Sequence, residues 1–166
     1  MTTGAVPGFS HTDEQGRARM VDVTDKVASA RSAVATGVVR TTAEVVGLLR
    51  RSGLPKGDAL ATARIAGIMG AKRTPDLVPL CHPIALSGVV VDLELGETTV
   101  TITATVRTTD RTGVEMEALT AVAVAGLTLH DMIKAVDPAA VLDAVRVERK
   151  DGGKTGSWVR PEAGPA

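Results

Sequence analysis

One segment breaks with the rest of the chain in how it distributes hydrophobic and polar positions. From Thr112 to Lys134 the pattern is that of a helix with charges at both ends and none between. Glu115 and Glu117 enter it, Asp131 and Lys134 leave it, and every residue from Ala118 to Leu129 is apolar, Gly or Thr. A globular helix that is apolar all round is buried, and this uncharged run is shorter than the roughly 20 residues that cross a bilayer. Ahead of it lie two alternating segments. Val89, Val91, Leu93 and Leu95 share one face, and Val100, Ile102, Ala104 and Val106 alternate with Thr99, Thr101, Thr103 and Thr105. Gly96-Glu97 between them predicts a two-residue II′ hairpin turn with Gly first.

Shorter elements flank these. Met20-Val-Asp-Val23 and Thr36 to Thr42 read as short strands. Thr42 to Arg51 reads as a helix capped by Thr42, with Val45, Val46, Leu48 and Leu49 on its apolar side. Gly53 and Pro55 break the chain. A second helix opens at Asp58 and runs to about Arg73, rich in small residues that let another backbone come close. Thr74 to Pro83 holds three prolines and predicts a stiff loop rather than an element. A last strand covers Ala144 to about Lys150. Hairpins plus long helices on one face predict an α+β sandwich. No internal repeat is visible. Residues 1–19 are expected to be a disordered tail, 20–158 a single catalytic domain and 159–166 a flexible tail.

Composition narrows the function. The 166 residues carry 19 basic and 19 acidic side chains, a balance that argues against a general nucleic-acid or membrane-surface role. One Cys permits no internal disulfide. The start of the chain has no basic segment followed by an apolar run, so a cytoplasmic location is expected.

Candidate chemistry gathers at the ends of the apolar helix. Thr112-Gly-Val-Glu115 has capping-box spacing, so Glu115 is either a cap or a site residue; Glu117 suits the helix dipole. Asp131 and Lys134 are an i, i+3 pair. They form either a surface ion pair or, at the edge of a low-dielectric core, an acid and a base working near neutral pH. Glu115 and Asp131 lie sixteen positions apart, about 24 Å along a helix, so one small substrate cannot touch both in one chain. If both are functional, a second subunit brings one end against the other, and the protein is a homo-oligomer. Cys81-His82 lacks the company a metal needs, with one Cys and three His in the chain. His82 is better placed as a hydrogen bonder or proton carrier, and no metal or cofactor is expected. Gly152-Gly-Lys-Thr-Gly156 lacks the rest of a phosphate loop. Lys150 and Lys154 can still hold phosphates as point charges, as can Lys56 just before a helix start. Arg64, Lys72 and Arg73 read as a solvated helix side.

Taken in order, Met20-Val-Asp-Val-Thr24, Lys56 to Ile68, Ala71-Lys-Arg-Thr-Pro75, Leu80-Cys-His-Pro83, Thr112 to Ala121, Asp131-Met-Ile-Lys-Ala-Val136 and Gly152-Gly-Lys154 resemble the molybdenum cofactor biosynthesis protein C family, the cyclic pyranopterin monophosphate synthases. The resemblance implies a ferredoxin-like sandwich assembled as a hexamer, a trimer of dimers with inter-subunit active sites. It implies a lyase that converts 3′,8-cyclo-dihydro-GTP to cyclic pyranopterin monophosphate and pyrophosphate. By the same resemblance Asp131, Lys134 and Lys56 are catalytic. Leu80, Cys81, His82, Glu115, Met116, Glu117, Lys150 and Lys154 bind substrate. His130 stands where the family often has Tyr, and Asp110-Arg111 where it has Gly-Lys. The competing readings are a ferredoxin-like RNA-binding module and a non-catalytic oligomeric protein.

Overall fold

The computed structural model describes residues 15–52, 54 and 56–162. Alternation builds its sheet. In β3 (Thr99–Asp110) Val100, Ile102, Ala104 and Val106 are fully buried while the threonines between them face the other side. β3 pairs antiparallel with β2 (Leu86–Leu95) on one side and with β1 (Ser29–Arg40) on the other. β4 (Val141–Asp151) pairs with β1, and β5 (Trp158–Val159) closes the sheet in the order β2-β3-β1-β4-β5.

Helices α1 (Ala43–Arg50), α2 (Ala59–Lys72), α3 (Thr74–Leu77) and α4 (Glu115–Ile133) complete the chain. Apart from β5 and the extra short helices, the path is β-α-β-β-α-β, the expected ferredoxin-like α+β arrangement. α4 is seated on the sheet, with Ala118, Ala121, Val122, Ala125, Leu129 and Ile133 buried in one core with β1 and β3. α2 packs on α4 through its small residues. A Cβ on Gly67 would sit 2.9 Å from the Ala121 carbonyl oxygen, and one on Gly70 would sit 2.8 Å from Val124. The two helices therefore approach as only glycine permits.

Several local expectations change. Met20–Val23 forms no strand; its backbone is tied instead to His82. β1 and β4 both run further than expected, β1 beginning at Ser29 and β4 spanning Val141–Asp151. Thr74–Leu77 is one helical turn rather than loop, with Pro75 at the start, where its missing N–H costs nothing. The hairpin turn is shifted by one residue. The Gly96 N–H donates to the Thr99 carbonyl at 2.8 Å, which puts Glu97 and Thr98 at its tip, and no residue there has positive φ, so it is not the II′ turn expected. The Thr98 carbonyl accepts from the Thr41 N–H at 2.9 Å, which fixes the loop.

α4 begins at Glu115 with Val114 as its cap residue and no side-chain cap bond, so Thr112 and Glu115 do not form a capping box. Nor is it buried all round: Leu127 is 65% exposed. By length and composition the whole helix could cross a membrane, but the sheet and α2 cover most of it. At the far end, Val159 pairs with Arg149, and the Arg160 N–H bonds Glu148, so ordered chain continues past residue 158. The expected tails fall largely outside the described residues, as do Gly53 and Pro55.

Candidate active site

Two clusters of functional side chains form at opposite ends of α4. At its C-terminal end Asp131 is gripped from both sides. Lys56 Nζ donates to Asp131 Oδ2 at 2.8 Å and to the Asp131 carbonyl at 2.9 Å, and Lys134 Nζ lies 2.7 Å from Oδ1. Lys56 is positioned by its loop. Leu54 is buried, the Gly57 N–H closes a turn onto the Leu54 carbonyl, Gly57 has φ +90°, and Asp58 caps α2 through Ala61 N–H. The sequence expectation of a low-dielectric pair is not met within one chain. Asp131 and Lys134 side chains are 55% and 54% exposed, and Lys134 and Lys56 hold the Asp131 carboxyl down to about 2. At neutral pH it is a carboxylate.

The N-terminal end of α4 opens onto two adjoining cavities. The first, of about 340 Å³, is lined by Leu80, Cys81, His82 and Ile84 on one side and by Met116 and Glu117 on the other. Glu117 points inward, not along the helix dipole. It is only 2% exposed, and its Oε2 is buried with no hydrogen-bond partner among the described residues. Burial pushes its carboxyl up to about 7, and the neighbouring Glu115 charge adds to the effect. Burial, then Glu117, also raises the Cys81 thiol, which makes it a poor nucleophile. His82 Nε2 donates to the Val21 carbonyl at 2.7 Å and so ties the segment 20–23 to the turn that carries Cys81 and His82.

The second cavity, of about 320 Å³, shares Thr112, Gly113 and Glu115 with the first. Gly113 lets the Glu115 carboxylate fold back over the chain, where a Cβ would overlap it. Glu115 Oε1 lies 3.4 Å from Lys150 Nζ, which also donates to Thr155 Oγ1 at 3.1 Å. Lys154 lines the same space. So do Lys26 and Arg31, for which the sequence offers no signal, and Arg111, which stands where the family has Lys. Arg31 and Gly152 are far apart in the chain and meet only through the β1–β4 register, in which Ser32 faces Asp151. For Glu117 a signal was present: it heads an i, i+4 row with Ala121, Ala125 and Leu129, all buried.

The structure thus brings Lys56, Asp131 and Lys134 together, and separately gathers Leu80, Cys81, His82, Glu115, Met116, Glu117, Lys150 and Lys154. Among the described residues no group of three or more His, Cys, Asp or Glu side chains could hold a metal ion. Comparison with known proteins adds a chemical context. The MoaC family profile matches residues 20–153. The chain is 65% identical over 152 residues to "Cyclic pyranopterin monophosphate synthase 2" of Mycobacterium tuberculosis, covering 92% of this chain and 91% of that one. It is 67% identical over 152 residues to the cyclic pyranopterin monophosphate synthase of Streptomyces coelicolor, covering 92% and 89%. With the enzyme of that name from Streptomyces avermitilis the identity is 63% over 163 residues, covering 95% and 96%.

Proposed function

Because this chain belongs to the MoaC family, we infer that it carries out the reaction its relatives are named for, the formation of cyclic pyranopterin monophosphate, a step in molybdenum cofactor biosynthesis. The substrate is 3′,8-cyclo-7,8-dihydro-GTP, and pyrophosphate leaves. The enzyme is a phosphorus–oxygen lyase working in the cytoplasm. The observation that carries this reading is the division of labour along α4: a carboxylate held by two ammonium groups at one end, and a half-apolar crevice with a buried, unpartnered carboxyl at the other.

In this reading the two ends are joined across a subunit boundary. Ionised Asp131 accepts a proton, and the ammonium groups of Lys56 and Lys134 supply donors and screen phosphate charge. Leu80, Cys81, His82, Met116 and Glu117 position the ring system, and Glu117, whose titration falls near neutrality, is equipped to donate or accept there. Glu115 orients Lys150, which with Lys154 holds phosphates. A homohexamer built as a trimer of dimers supplies the boundary. Ile65, Met69, Leu77 and Leu127 are exposed on α2, α3 and α4, an apolar surface that favours association. The RNA-binding alternative finds less support, because β3 turns threonines outward and Trp158, on an edge strand, is the only Phe, Tyr or Trp among the described residues.

The direct test supplies the purified chain with the cyclised dihydro-GTP and measures pyranopterin and pyrophosphate. Asp131→Asn keeps the fold and loses turnover; full activity in that variant refutes the role given to Asp131. Native mass spectrometry reads the subunit number.

A further inference from the structure

Lys150 and Lys154 sit on one hairpin formed by the last two strands. In its register Lys150 stands opposite Trp158 and Arg149 opposite Val159. The connecting loop is tied along its length. Ser157 Oγ donates to Asp151 Oδ1 at 2.7 Å, the Gly156 N–H closes a turn onto the Gly153 carbonyl at 3.2 Å, and Lys150 Nζ donates to Thr155 Oγ1 at 3.1 Å. Lys154 and Thr155 are the corners of that turn, and its flanking glycines have φ +76° and +65°. The spacing of the two lysines is thus set by the hairpin.

β5 has little of its own to hold it there. It pairs only two residues, and Trp158 and Val159 are 38% and 65% exposed, so it adds no side chain to the core. A strand margin of that kind lies at the low end of local stability. Arg160 supplies an anchor. Its backbone N–H donates to the Glu148 carbonyl at 2.8 Å, and its Nε donates to the Val147 carbonyl at 2.7 Å. The same Nε lies 3.5 Å from Glu148 Oε2, and the guanidinium lies 5.6 Å from the centre of the Trp158 ring. One side chain therefore clamps β5 to β4 through a backbone oxygen, a carboxylate and a ring. An ammonium group does not reproduce that set of contacts.

We propose that Trp158–Arg160 is a latch, and that Arg160 is a positioning residue that acts through the loop to hold Lys150 and Lys154 ready for phosphate oxygens. The inference rests on the proposed reaction for the phosphate role of those two lysines. A hairpin closed before the ligand arrives spares binding the cost of ordering the loop. By linkage, an anion engaged by the loop lysines holds the latch closed by the same factor that the latch strengthens binding of the anion.

Hydrogen exchange of the full chain, read by mass spectrometry, tests the coupling from the latch side. Saturating inorganic pyrophosphate slows exchange across residues 158–162 about fivefold or more, and Lys154→Ala loses most of that protection. An anion that only stabilised the fold as a whole would not slow exchange through local fraying. Calorimetry reads the reverse direction. Arg160→Ala weakens pyrophosphate binding by about fivefold or more, and Arg160→Lys recovers only part of the loss. With the cyclised substrate Arg160→Ala raises KM by a similar factor and leaves kcat within about twofold, a split that a general loss of folded protein does not produce. Undiminished pyrophosphate affinity in Arg160→Ala overturns the proposal. So does wild-type exchange at residues 158–162 that pyrophosphate leaves unchanged, a result that needs no variant. A chain that shows the coupling yet never turns over keeps the latch and rejects the reaction.

Discussion

A carboxyl such as that of Glu117 couples the stability of the fold to pH in a direction opposite to most acids. Its folded value lies near 7 against an ordinary value of 4.5, chiefly because burial disfavours the charge. Between those values the folded state keeps a proton that the unfolded chain has lost. Stability is therefore fully present below about pH 4.5 and is lost as pH rises through 7, by on the order of 3 kcal/mol. Glu117→Gln removes the dependence. Urea midpoints of the two proteins nearly coincide at pH 5, and the variant is the more stable at pH 8; matching pH profiles would show that Glu117 is solvated. Asp131 behaves in the ordinary sense, ionised down to about 2 by Lys134 and Lys56. Its place was legible because charges following a long uncharged run mark the end of a core helix. The burial of Glu117 is masked in the sequence because Thr112-x-x-Glu115 imitates a capping box, which assigns both glutamates to a solvated first turn. The i, i+4 row of buried residues below Glu117 was the stronger signal.

α2 and α4 owe their closeness to glycine, and that contact can be probed against an internal control. Gly67→Ala forces a methyl group against the Ala121 carbonyl and the Ala125 side chain, and costs about 1–3 kcal/mol. Gly47, in α1, would place its Cβ no nearer than 3.4 Å to a flexible Arg51 side chain. There alanine gains helix propensity and stabilises by up to about 1 kcal/mol. Opposite shifts in the denaturation midpoint are the expected result; equal shifts would mean that the helices are not in close contact. The small residues of α2 announced this packing in the sequence. The strand lengths were harder to see. β1 alternates buried Ala33, Ala35 and Val39 with polar or half-exposed partners, and its pairing with β4 is interrupted near Ala144, which adopts φ +51°. An irregular ladder leaves no clean period to read. Arg31 belongs to that strand, so its meeting with the Gly152–Gly153 turn could not be read from spacing.

The molecule as a whole presents its two clusters about one helix length apart, and that distance separates a shared site from a self-contained one. Co-expression of Asp131→Asn with Glu117→Ala, each inactive alone, restores up to about a quarter of wild-type turnover if every site draws its two halves from different chains. Half of random pairs are then mixed, and each mixed pair holds one intact crevice; no recovery at all would mean that one chain supplies both halves. The sandwich itself was legible from the alternating and helical periods, whereas the cavity walls depend on strand register. A practical consequence concerns the single indole. Trp158 sits on the two-residue edge strand β5, 38% exposed, with the Arg160 guanidinium 5.6 Å from its ring centre, and the chain has no tyrosine. The hydrophobic interior, made of aliphatic side chains, is therefore optically silent. Fluorescence will follow the fraying of one sheet margin, and its thermal transition will precede the loss of far-ultraviolet ellipticity.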